Sequence, residues 1–160
     1  MNAINMLVTQ HRRMEASLKA ILEAEGTARA KIFAEVADLL MSHVLIEEQL
    51  FYPAVKARRT EDILLESLEE HLSIKRVLAD LLDLPIDDPR FEPKFHVLKE
   101  QAEHHHEEEE GKLFPKVTKI LDAAELEDLG ATMKAAQETL LAGRPRERAR
   151  HQTEAAAELK

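Results

Sequence analysis

Apolar side chains recur along this chain at three- and four-residue spacing through five stretches, the period of helices with one buried face. In the first, from about 5 to 23, Ile4, Leu7, Val8, Met14, Leu18 and Leu22 share one side, and Gly26 with Thr27 breaks the pattern. The second runs from about 28 to 58 and carries Phe33, Val36, Leu40, Leu50, Phe51 and Val55. Thr60, Glu61 and Asp62 supply the acidic start that a helix N-terminus favours, opening a third stretch to about 84. Pro85, Pro89 and Pro93 interrupt the chain before a fourth stretch, from about 93 to 121. A fifth, from about 124 to 142, stops at Gly143 and Pro145. Residues 144–160, Arg-rich from Arg144 to Arg150, have no apolar stripe and read as a solvated tail or a loosely attached helix. Four long segments with short connections predict an all-α, antiparallel up-down-up-down four-helix bundle with an additional C-terminal helix, one domain over 1–143.

Composition narrows the chemistry. The formal net charge of −9 argues against nucleic acid or an anionic membrane surface as a partner. No apolar run approaches the ~18–20 residues of a membrane span, and the N-terminus lacks the apolar centre of a leader, so a cytoplasmic protein is expected. With no Cys, disulfides, thiolate metal sites and cysteine nucleophiles are excluded. The chain has 8 His, so metal chemistry here must use imidazole and carboxylate.

The chain also repeats itself. A displacement of 62 residues carries Phe33, His43, Glu47, Glu48, Tyr52, Pro53 and Val55 onto Phe95, His105, Glu109, Glu110, Phe114, Pro115 and Val117, and one of 60 carries His11 onto His71. Each half is a helix bearing one His followed by a helix bearing His-x-x-x-Glu, an aromatic residue and Pro, so two similar hairpins face one another. Six His-x-x-x-Glu pairs occur, starting at His11, His43, His96, His104, His105 and His106, and spacing alone does not choose among them.

Helical phase does. At ~100° per residue, Val36, Leu40, Glu47, Leu50 and Ala54 fall within about 60° of His43, while Glu48 falls about 140° away, on the solvent side. Around His105, the inward set is Leu98, Ala102, Glu109 and Ile120; His104 and His106 point about 100° to either side and Glu110 about 140° away. His11 shares a stripe with Leu7 and Leu18, and His71 with Leu68 and Ile74. Four His and two Glu therefore point inward from four helices. Burying six such groups without compensation costs several kcal/mol each, and a pair of cations offsets it; imidazole with carboxylate suits iron, manganese or zinc.

The order His11, His43-x-x-x-Glu47, His71, His105-x-x-x-Glu109, with LFYP and LFP after the two pairs, resembles the hemerythrin-like HHE cation-binding domain family over about residues 5–121. The resemblance implies two iron ions, with manganese or zinc as substitutes, inside the bundle and joined by an oxo, hydroxo or water bridge. It makes His11, His43, His71 and His105 terminal ligands and Glu47 and Glu109 bridging ones. Oxygen-carrying members place a second His one turn from the first on their third helix and use His-x-x-x-x-Asp on the fourth. Here Ser67 and Lys75 flank His71 in phase, and the fourth helix has Glu at i+4. The four His and two Glu fill ten of about twelve octahedral positions with a bridging oxygen counted, leaving two open or taken by water or a further ligand such as Glu15. Simple reversible oxygen carriage does not follow.

Other polar groups have readings of their own. Lys75 could approach a bound oxygen species, or its stem could run past the core edge with the ammonium in water. Glu107 to Glu110 with His104 and His106 form either a second route for metal into the interior or a solvated helix face. His96 falls at a boundary and His151 in the tail. Pro53 and Pro115 should bend their helices just beyond the ligand pairs. The functional expectation is a non-haem di-iron protein that binds, senses or handles dioxygen, peroxide or nitric oxide, or takes part in iron homeostasis. The alternatives are a peroxide-consuming di-iron enzyme and an interaction module with a structural metal. The partner in the first case is a small diatomic or peroxide ligand, and self-association into a homo-oligomer is compatible with the sequence.

Overall fold

Asn2 and Asp122 start two of the long helices by side-chain capping, accepting hydrogen bonds from the backbone N–H of Asn5 and Glu125 at 2.8 Å each. A computed structural model describes residues 1–160. Helix α1 spans Ala3–Glu23 and α2 Gly26–Ile46. The chain then continues through a π-helical turn, Glu47–Phe51, into α3, Tyr52–Ala54. Helix α4 spans Glu61–Leu82 and α5 Phe91–Glu108, followed by a second π-helical turn, Glu109–Leu113, and α6, Phe114–Val117. Helix α7, Ala123–Ala142, packs on α1 and α2. The chain is all-α, as expected, and no helix is long and apolar enough to cross a membrane.

Gly26 belongs to α2 rather than to the break: with φ of 57° it takes the left-handed conformation that turns the chain out of α1. Gly130 has a different role. A Cβ there would lie 2.5 Å from the Met1 carbonyl oxygen, so its hydrogen lets α7 close onto the N-terminus.

Where bends were expected the chain makes π-helical turns, and these change the register. A proline removes an N–H and its ring collides with the carbonyl four residues back, so the turn ahead of Pro53 and of Pro115 widens to i→i+5 bonding. Tyr52 N–H donates to the Glu47 carbonyl and Phe114 N–H to that of Glu109. The wide turn advances the following side chains by about one position. Ala54, expected inside, is exposed, whereas Glu48, Tyr52 and Val55 are buried. The solvent-side reading of Glu48 is thereby corrected: it is 8% exposed.

Two apolar layers close the bundle on either side of a polar one. Met14, Phe33, Leu40, Ile74, Leu78, Phe95 and Ala102 belong to one. Leu7, Ile46, Phe51, Leu68, Leu113, Phe114 and Met133 belong to the other. Along the chain each site histidine lies between residues of the two layers, His105 between Ala102 and Leu113 of the following turn. The segment read as a solvated tail or a loosely attached helix is docked. Pro145–His151 forms a 3-10 helix against α2 and α4, Ala149 is fully buried, and Arg146 pairs with Asp38 at 2.6 Å. The polar stretch lacked a stripe because its attachment depends on ion pairs, Arg150 with Asp83 included, and on two buried apolar residues, Pro145 and Ala149.

Candidate metal centre

His11 from α1, His43 from α2, His71 from α4 and His105 from α5 all reach the polar layer, joined by Glu47 and Glu109 at the first positions of the two π-helical turns. All six are at most 1% exposed. Two clusters result. His11 Nε2 lies 3.2 Å from His43 Nε2 and 3.3 Å from Glu109 Oε1, and His43 Nε2 lies 3.4 Å from Glu47 Oε1. In the other, His71 Nε2 lies 3.0 Å from His105 Nε2 and 3.1 Å from Glu47 Oε1. Glu47 belongs to both clusters, and Glu109 lies 3.5 Å from His105 as well. Adjacent ligands about 2.1 Å from a common ion stand about 3 Å apart, the spacing found here.

The outward nitrogens fix the inward ones. His11 Nδ1 donates to Glu110 Oε2 at 2.8 Å, His71 Nδ1 to Glu48 Oε2 at 2.9 Å, and His105 Nδ1 to Glu70 Oε1 at 2.9 Å. His43 Nδ1 donates to Gln10 Oε1 at 2.8 Å. An ionised carboxylate only accepts, so in a neutral ring the proton sits on Nδ1 and the Nε2 lone pair faces the pocket. Gln10 is held in turn by Gln137 at 2.7 Å, which gives α7 a part in the site.

The electrostatics call for a cation. Glu47 Oε2 and Glu109 Oε1 are buried with no hydrogen-bond partner. Burial, and then the charge of Glu47, push the Glu109 carboxyl up to about 7. Two facing carboxylates and four lone pairs converging in an apolar bundle fit divalent or trivalent metal ions.

Two residues in the pocket escaped the phase argument. The buried Tyr52 hydroxyl donates to Glu109 Oε2 at 2.9 Å and lies 3.2 Å from His71 Nε2, so it offers the second cluster a further oxygen donor. Burial and the two glutamates hold its phenol well above its ordinary value while no cation is near. His106, expected at the flank, is 1% exposed, stacked on His11 with ring centroids 3.9 Å apart. Burial, followed by the neighbouring imidazoles, pushes it far down, so it is neutral. The LFYP motif displayed the Tyr; only the widened turn could have shown that it points inward.

The remaining candidates lie elsewhere. Glu15 pairs with Arg12 at 2.7 Å and stays outside the two clusters. Lys75 is 1% exposed and pairs with Glu48 at 2.9 Å, which corrects the reading of an ammonium in water. His104 is exposed, 3.5 Å from Glu70, and His96 and His151 are exposed. Glu107 is solvated, whereas Glu110 is the half-buried partner of His11.

A helical bundle closed around buried imidazoles and carboxylates is a metal-binding architecture, and comparison with known proteins places it. Residues 2–117 match the Hemerythrin HHE cation binding domain model, and the chain belongs to that family. It is 32% identical over 143 residues to the uncharacterized protein Rv2633c of Mycobacterium tuberculosis, covering 88% of each chain. It is equally similar to the uncharacterized protein Mb2666c of Mycobacterium bovis, again 32% over 143 residues and 88% of each. Its fold matches the crystal structure of a hemerythrin HHE cation binding domain-containing protein, the Rv2633c homolog of Mycobacterium kansasii. The TM-score is 0.79, with 29% identity and 89% of each chain covered.

Proposed function

We propose that this protein holds two iron ions and uses them to bind, sense or handle dioxygen, peroxide or nitric oxide, or in iron homeostasis. His11 and His43 would hold one ion, His71 and His105 the other, with Glu47 and Glu109 between them. The observation that carries the reading is the pair of converging clusters that share Glu47, each flanked by apolar layers, with buried carboxylate oxygens otherwise unpartnered. Iron bound there supplies redox chemistry toward small oxidants. The chain's own contribution is to set the tautomer of each imidazole, to exclude bulk water and to hold the phenol hydrogen of Tyr52 on Glu109. The test is the optical spectrum of the anaerobically iron-loaded protein on exposure to dioxygen, peroxide or nitric oxide. A new visible absorption is expected, and a spectrum silent toward all three would overturn the proposal.

A peroxide-consuming enzyme is the second reading, supported by the chain His71–Glu48–Lys75. These groups are linked at 2.9 Å per step, and Glu48 and Lys75 line an open groove beside the C-terminal residues 151–160. Such a chain can carry protons between the pocket and water. Peroxide disproportionation well above that of free iron supports this reading, and turnover equal to free iron removes it.

A further inference from the structure

Two chains of polar side chains lead outward from the inner histidines, and they end differently. His11 meets Glu110, and Glu110 meets Arg12, whose side chain is 54% exposed. The equivalent chain, His71–Glu48–Lys75, ends at an ammonium group on a side chain only 1% exposed. The groove that Glu48 and Lys75 line is walled by residues from the stretch 151–160. That wall is lightly held. Residues 153–160 form no helix, none of them is buried, and they make no hydrogen bond to other backbone groups. One side chain fixes their backbone: Arg76 of α4 donates from Nε to the Thr153 carbonyl at 2.8 Å and from Nη2 to that of Glu154 at 3.2 Å. Ala156, Ala157 and Leu159 add half-buried contact with the second apolar layer. Ala157 and Glu158 also border a second groove, floored by Leu65 and Leu68, so the segment lies between two hollows. Few apolar contacts and no backbone ladder mark a segment that opens at low free energy while the helices stay folded.

We propose that residues 153–160 are a strap, pinned by Arg76, whose opening admits water and small solutes to the Lys75–Glu48–His71 chain. The strap needs no metal; its effect on the His71 and His105 position rests on the dinuclear reading above. Arg76 follows Lys75 directly in sequence, so the pin and the covered ammonium belong to one turn of α4. The two halves then differ in access as well as in charge. The His11 side meets solvent directly through Arg12, and the His71 side meets it at the rate at which the strap lifts.

The chain has no Cys, so a thiol placed under the strap is a unique reporter. Leu45→Cys puts one at a buried position that lines the groove. In the metal-free, full-length protein this thiol should react slowly with a disulfide reagent. Adding Arg76→Ala should speed the reaction at least roughly tenfold, and adding Arg76→Lys, whose single ammonium replaces the two-armed pin, by less. Arg76 is exposed, so its loss leaves the helices folded. Equal rates in all three proteins would overturn the strap. A second measurement keeps Leu45. Wild type loaded anaerobically with Co(II) and challenged with a chelator should release two ions, and Arg76→Ala should speed release of one of them several-fold without lowering the amount bound at saturation. Unchanged release of both ions would overturn the strap's control of access. If Leu45→Cys does not fold, the release rates decide alone. A wild type that binds no cobalt removes the dinuclear reading, and the thiol rates then decide the strap by themselves, acceleration supporting it and equality overturning it.

Discussion

Tyr52 and Phe114 stand at matching places in the two halves of the chain, each directly after a π-helical turn and before a proline, yet they treat the pocket differently. Tyr52 brings a hydroxyl to Glu109 and to His71, while Phe114 brings only a ring, 6.1 Å from that of His11. The charges around the pocket diverge in the same way. Glu48 is buried with Lys75, whereas its counterpart Glu110 is half-buried and meets Arg12, which is exposed. Gln10, on His43, matches Glu70, on His105, with an amide in place of a carboxylate. The scaffold and the two shared carboxylates follow the repeat. The aromatic residue after each turn and the counter-charge of each half do not: Tyr52 stands against Phe114, and Lys75 against the exposed Arg12.

The carboxylate that both halves share should matter most. Glu47→Ala removes a donor that lies 3.4 Å from His43 and 3.1 Å from His71. Metal content by elemental analysis should fall below one ion per chain in the folded variant; an undiminished content would show that Glu47 joins nothing. Next comes the contrast of counter-charges. Lys75→Met leaves the buried Glu48 carboxylate with His71 as its remaining partner and should cost roughly 3 kcal/mol in denaturant unfolding of the metal-free protein. Arg12→Ala, on the solvent side of the equivalent place, should cost about 1 kcal/mol or less. Equal costs would erase the distinction between the halves.

Smaller effects sharpen the comparison further. Tyr52→Phe makes the first half resemble the second and should weaken one metal site about 10–100-fold while leaving the fold intact; competition with a chelator measures it, and an unaltered affinity would reduce Tyr52 to packing. Gln137→Ala frees Gln10 from α7 and should weaken the His43 side by about tenfold or less. A loss as large as that from Glu47→Ala would mean that α7 builds the site rather than steadying it.

How much of this was legible in the sequence divides along the same line. Helix positions followed from period and punctuation, and the six inward donors from phase, because everything up to Glu47 and Glu109 is regular α-helix. Beyond them the 100° step fails. The i→i+5 turns before Pro53 and Pro115 rotate Glu48 and Tyr52 inward, and a fixed step could not foresee it. His106 was misplaced for another reason: its position flanks the stripe, but α1 packs closely enough that His11 covers it. The docking of residues 145–151 left no periodic signal, being a matter of Arg146 with Asp38 and of buried Pro145 and Ala149.

The central claim is that the pocket holds two ions between its halves. Iron loaded anaerobically into untagged, full-length protein, followed by removal of unbound metal, gives a direct metal-to-protein ratio. The account predicts two irons per chain; a ratio near zero, in a protein that keeps its helical fold, would contradict it.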